Sequence, residues 1–185
     1  MTLKASTLSS RRLRPAVSIV TMNMHAESVP RPIFKIIIMA YTKLIYHIVF
    51  RPHNNAPVIT EKYERDLYMY IYGFCRNRQY VLYRINGMPD HIHILIGLPA
   101  TISIASFVHD LKIACGNYMR NNVEKYPRFE SWERGYGAFT CSENEKEKVI
   151  HYIINQKVHH KKVSTHDEIV SILKTLHIDY DERYI

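Results

Sequence analysis

The sequence predicts an α+β fold of the ferredoxin-like, split βαβ type: an antiparallel sheet with two helices on one face and a C-terminal helix that carries a tyrosine. Three observations predict it. Period-2 and period-3.6 segments alternate in the order strand, helix, strand, strand, helix, strand. Two of the strands are separated only by a short proline-containing turn, and a strong helix start follows the fourth strand.

The elements follow in order. "YTKLIYHIVF", residues 41–50, is rich in β-branched and aromatic residues and stops at Arg51-Pro52, so it reads as the first strand. Ile59, Tyr63, Leu67, Tyr70, Ile71 and Phe74 recur at helical spacing and predict a helix from Ile59 to about Arg78. "QYVLYRING", 79–87, is the second strand. A turn over Gly87–Asp90 leads into "HIHILIGL", so strands two and three form a hairpin. Ser103 caps a second helix through Ile104, Phe107, Val108, Leu111 and Tyr118. "GYGAFTC", 135–141, is the fourth strand. Ser142 with Glu145 three residues on is a capping box, and the helix it starts is expected from Glu143 to about His160. Ser164 or Thr165 caps a last amphipathic helix through Leu176. Two helices then bury one face of the sheet and leave the other open for chemistry.

A chain of 185 residues with 46% hydrophobic and 23% charged residues suits one globular domain and shows no solenoid repeat. Residues 1–38 mix Ser, Thr, Arg and Pro without a sustained period. They read as a disordered N-terminal arm or as sequence ahead of the true start, with the domain spanning 39–185. Of the net charge of +8, most sits in that arm, whose six basic residues face one Glu. The basic total therefore says little about the folded domain, and an argument for nucleic acid has to come from a site. Cys75, Cys115 and Cys141 are odd in number, far apart and form no CxxC pair, so neither a disulfide framework nor a zinc finger is suggested and reduced structural thiols are expected. No apolar run approaches the ~18 residues of a spanning helix, so a cytoplasmic protein with no membrane role is expected.

Within "PDHIHILIGLP", alternation places His91 and His93 on one strand face and Ile92, Ile94 and Ile96 on the other. Two imidazoles so placed can lean toward one metal ion, or can be ordinary polar residues on the solvent side of a half-buried strand. On the helix after the capping box, Tyr152, Gln156 and His159 share a stripe about 60° wide beside a broad apolar face. Gln156 offers a neutral carbonyl oxygen that suits a hard cation such as Mg²⁺ or Mn²⁺. Tyr152 offers a phenol that becomes a nucleophile once its target is polarised. Taken singly, a tyrosine edging a core and a glutamine on a solvated face would account for both. His47 reads as a satisfied sheet histidine, and His159 and His160 as outer partners of the metal or as solvated residues. Lys112, Arg120, Lys157, Lys161 and Lys162 are candidate phosphate contacts.

The stretches "HIVF", "MPDHIHILIGLP", "ERGYGAFTCSENE", "VIHYIINQKVHHKK" and "DERYI" resemble, in one order over about 41–185, the small single-tyrosine transposases of the HUH class, the insertion-sequence-200-like family. The arm at 1–38 is not part of that pattern, and relatives often run slightly beyond Ile185. The resemblance implies that His91 and His93 are the HUH pair, Tyr152 the nucleophile and Gln156 the third metal ligand. It also implies a divalent ion, Mg²⁺ or Mn²⁺, and a homodimer acting on single-stranded DNA with hairpin ends. The reaction it implies is nicking and strand transfer through a 5′-phosphotyrosine. Two rival readings use the same fold: a domesticated, non-catalytic nucleic-acid-binding module, and a metal-dependent phosphodiesterase that hydrolyses with water and makes no use of Tyr152.

Overall fold

The computed structural model describes residues 41–160 and 164–182. The expected arm over 1–38 lies outside the described residues, as do Lys161, Lys162 and the last three residues. Four strands, β1 (Leu44–Phe50), β2 (Val81–Met88), β3 (His91–Leu98) and β4 (Gly137–Cys141), form one sheet in the order β2-β3-β1-β4. Every neighbouring pair is antiparallel. With α1 (Glu64–Asn77) between β1 and β2, and α2 (Ile104–Asn121) between β3 and β4, this is the split βαβ arrangement expected.

The core lies between one sheet face and these two helices. Ile48 and Phe50 of β1 and Ile92, Ile94 and Ile96 of β3 meet Leu67, Ile71 and Phe74 of α1 and Phe107, Leu111 and Cys115 of α2. Each is removed almost wholly from water, which stabilises the fold by roughly 1.5–3 kcal/mol per large side chain. Ser103 caps α2 as expected, accepting a bond from the Ser106 amide at 3.0 Å. Helix α1 begins five residues later than its apolar period suggests. Ile59 is buried from an extended segment whose amide bonds to the Pro89 carbonyl, and the Thr60 carbonyl closes the turn that starts the helix.

The β2–β3 turn is tight enough to demand a glycine. A Cβ on Gly87 would stand 2.2 Å from the His91 carbonyl oxygen, so only Gly87 lets the hairpin close on the strand that carries the histidines.

The second sheet face is not open. Ile45, Leu95 and Cys141 pack there against Ile153 of α3 (Lys146–Ile154), with Val149, Ile150 and Tyr152 around them. The helix expected over 143–160 starts at Lys146, and only half of the capping box forms: Glu145 accepts from the Ser142 amide and hydroxyl but is itself the cap residue. It also breaks at Asn155, after which α4 (Gln156–His159) adds one turn. The break has a cause on the sheet. Asn86 Nδ2 donates to the carbonyls of Ile153 at 2.8 Å and Ile154 at 3.2 Å, which would otherwise continue the helical ladder. Because Asn86 stands opposite His93 in the β2–β3 register, the bond that ends α3 also fixes it beside the histidine strand. The last helix, α5 (Thr165–Thr175), is capped by Ser164, whose hydroxyl accepts from the Asp167 amide at 3.1 Å. Among the described residues, no helix is long and apolar enough to cross a membrane.

Candidate active site

Strand alternation puts His91 and His93 on the α3 side of the sheet, and both are fully buried rather than solvated. Their rings meet edge to face with centroids 4.9 Å apart. Burying an imidazole is tolerable only where its nitrogens find partners, and each ring has one nitrogen satisfied. His91 Nδ1 donates to the Asp90 carboxylate at 2.8 Å, with Thr165 Oγ1 3.3 Å away. His93 Nδ1 shares a proton with His47 Nε2 at 2.9 Å, and those two rings stack. Burial, reinforced by His93, lowers the His47 pKa to about 3, so His47 is neutral. Burial also lowers His93, against the opposing pull of Glu168.

Tyr152 and Gln156 reach this pair from α3 and α4. The Tyr152 ring lies 5.9 Å from that of His93 and 6.0 Å from that of His47, centroid to centroid. Its hydroxyl donates to Glu168 Oε1 in a short bond, and Gln156 Nε2 donates to the same oxygen at 2.9 Å. That second bond fixes the amide, turning Gln156 Oε1 the other way. Glu168 Oε2 accepts from His160 Nε2 at 2.8 Å. Burial pushes the Tyr152 phenol up, and the neighbouring Glu168 adds to the effect. Burial would push Glu168 up as well, but His93, Tyr152 and Gln156 outweigh it and hold the carboxyl below its ordinary range.

Three buried polar atoms here have no hydrogen-bond partner: His91 Nε2, His93 Nε2 and Gln156 Oε1. Each is a lone-pair donor on a neutral group, and an orphan of this kind costs about 1–3 kcal/mol when nothing satisfies it. A divalent cation would satisfy lone pairs of this kind, and two imidazole nitrogens with an amide oxygen are a donor set that suits Mg²⁺ or Mn²⁺. His91, His93, His160 and Glu168 also offer donor atoms within 4.8 Å of one another.

The structure thus brings His91, His93, Tyr152 and Gln156 into one pocket. It brings in more. His47 is satisfied, as a sheet histidine should be, but its partner is His93, so it orients the pair. His160 reaches Glu168, while His159 only edges the Tyr152 ring with centroids 5.7 Å apart. Sequence reasoning missed Glu168, Asp90 and Asn86. Glu168 is an acid in the first turn of α5, where acids are common, and Asp90 falls in the β2–β3 turn. Asn86 gave no signal.

The candidate phosphate contacts fare less well. Lys112 Nζ donates to the carbonyls of Glu133 and Gly135 at 2.8 and 2.7 Å. Lys157 pairs with Glu61 and Glu64. Arg120 bonds Asn117 and the Glu130 carbonyl. All three therefore hold the domain's own loops and helices, because carbonyls and carboxylates lie within their reach.

Residues 40–156 match the family described as "Transposase IS200 like". The transposases for insertion sequence element IS200 of Salmonella typhimurium (strain LT2) and Salmonella typhi are each 28% identical to this chain over 115 residues, which cover 60% of it and 75% of them. Among solved structures, a putative transposase from Deinococcus radiodurans R1 is similar with a TM-score of 0.52 and 25% identity, over 64% of this chain and 94% of that one. A REP-associated tyrosine transposase bound to a REP hairpin shares the fold, with a TM-score of 0.51 at 17% identity over 67% of this chain and 73% of that one.

Proposed function

From the fact that the chain belongs to the IS200-like transposase family, and is in that sense a DNA transposase, we propose that it nicks and rejoins single-stranded DNA, with Tyr152 as nucleophile and a divalent ion held by His91, His93 and Gln156. The observation that carries this reading is that the three residues with unpartnered lone-pair atoms all border Glu168, the carboxylate that accepts the Tyr152 hydroxyl. Those donors fit Mg²⁺ or Mn²⁺, which when bound polarises the scissile phosphate as a Lewis acid.

The chain's own residues do the rest. Asp90 accepts a hydrogen bond from His91 Nδ1–H, which keeps the proton on Nδ1 and leaves Nε2 as a lone pair. His47, neutral, does the same for His93 when its Nε2 accepts from His93 Nδ1. Tyr152 oxygen attacks phosphorus and the bond to the 3′ oxygen breaks, leaving a 3′-hydroxyl and a 5′-phosphotyrosine. A second 3′-hydroxyl then attacks that link, restores a phosphodiester and frees Tyr152. No external energy source is needed, because one ester is exchanged for another. A chain with one nucleophile holds one DNA end, so moving an element with two ends requires two chains, and we propose a homodimer as the acting form. The solved relative bound to a REP hairpin supports a hairpin-ended strand as the DNA to try first.

The test is incubation of the protein with a labelled hairpin-bearing single strand and Mg²⁺ or Mn²⁺. A covalent adduct that disappears in Tyr152→Phe is the expected outcome, with a loss on the order of 10⁴-fold or more. Adduct surviving in Tyr152→Phe would overturn the nucleophile, and turnover with no adduct would point to hydrolysis by water instead.

A further inference from the structure

Glu168 lies beyond the stretch matched by the family and accepts hydrogen bonds from Tyr152, Gln156 and His160 in the pocket. We propose that Glu168 is a fourth ligand of the same divalent ion, contributing Oε2 while Oε1 holds the Tyr152 hydroxyl; the inference rests on the metal site proposed above.

Distances come first. Glu168 Oε2 stands 3.7 Å from His91 Nε2 and 3.6 Å from His93 Nε2. Those separations are too long for hydrogen bonds, and both nitrogens are without a partner. They suit donors that share an ion, because bonds of about 2.1 Å put two donors of one shell roughly 3.0 to 4.2 Å apart.

Charge comes second. Two imidazoles and an amide are neutral, so by themselves they would hold a dication among buried side chains with no compensating charge. Buried charges are paired, and Glu168, only 2% exposed, supplies a negative charge at that place. His160 Nε2 donates to the oxygen proposed as ligand, an outer contact of the kind that orients metal ligands.

The third argument is how α5 is held. Thr165, its first residue, donates from Oγ1 to Asp90 Oδ2 at 3.0 Å. Asp90 is also the residue that orients His91. One carboxylate therefore fixes both the first imidazole and the helix that delivers Glu168 three residues later. The two Glu168 oxygens then tie ion and nucleophile together, which makes the carboxylate a device for setting the distance between them.

The experiment is Mn²⁺ binding to the full chain without DNA, followed by electron paramagnetic resonance and by calorimetry, for the wild type, His91→Ala, Glu168→Gln and Glu168→Asp. Melting temperatures without metal report folding of each variant. The expected result is at least a tenfold weaker Mn²⁺ affinity in Glu168→Gln, with Glu168→Asp weakened less because it keeps the charge. If Glu168→Gln binds Mn²⁺ as tightly as the wild type, or more tightly, while His91→Ala does not bind, the carboxylate merely covers the site and the inference falls alone. If the wild type binds no Mn²⁺, the metal reading itself falls and takes this inference with it.

Discussion

Ile92, Ile94 and Ile96 on one face of β3, and His91 and His93 on the other, are all fully buried, yet the two faces are dry for opposite reasons. The isoleucines meet α1 and α2, where loss of apolar surface from water is itself the stabilisation. The histidines are covered by side chains of α3, α4 and α5, while Asp90 of the β2–β3 turn and His47 of β1 satisfy one nitrogen of each ring and the other is left unsatisfied. Burial thus does not distinguish core from site on this strand. The unsatisfied atoms do, because evenly packed apolar groups have nothing left to bind, whereas His91 Nε2 and His93 Nε2 keep lone pairs without a partner.

The comparison breaks most visibly on the apolar face. Ile94→Ala should cost about 2–5 kcal/mol in stability, read by denaturant unfolding, while Mn²⁺ affinity of the protein that remains folded stays as in the wild type. The polar face should show the reverse. His47→Phe keeps a ring against His93 but removes its acceptor, and Mn²⁺ affinity should fall about 10- to 100-fold with little loss of melting temperature. If affinity were unchanged, His93 would not need His47 to present its free nitrogen.

A gentler way to sharpen the contrast is pH. A histidine whose pKa is lower folded than unfolded takes up its proton in the unfolded chain first, so stability falls as pH drops below the unfolded value of about 6.5. For His47 the fall continues toward its folded value of about 3, and His93 is shifted in the same direction. The metal-free protein should therefore lose up to ~1.4 kcal/mol per pH unit per histidine between pH 6.5 and 5. Melting curves in that window should flatten in His47→Phe, while Ile94→Ala keeps the wild-type slope.

Much of this was legible in the sequence, for reasons that differ by residue. Strand order followed from local periodicity, and the face carrying His91 and His93 followed from alternation alone. Tyr152 and Gln156 were visible as a helical stripe, since they lie within one turn of each other. What sequence could not supply were contacts between distant segments: Asn86 with Ile153, Thr165 with Asp90, Glu168 with Tyr152. The same ignorance explains the single long helix expected over 143–160. Nothing local to Asn155 breaks it, and the side chain that does comes from β2. The second sheet face was expected to be open because only two helices were counted against the sheet, leaving out the apolar side of α3.

The strand order carries a consequence for how the chain acquires its shape. β1 is the first of the four described strands to be synthesised, yet it is flanked by β3 and β4, with Ile45 paired to Gly97 on one side and to Cys141 on the other. Neither neighbour can be reached until long loops have closed, which makes such pairings late and slow events in folding. The β2–β3 hairpin, by contrast, joins through two residues and can form early, so His91 and His93 are aligned on a nascent ribbon before Tyr152 is present. Tyr152, Gln156 and Glu168 all follow the histidine strand in the chain, so on a ribosome the pocket is complete only once the final helices have docked.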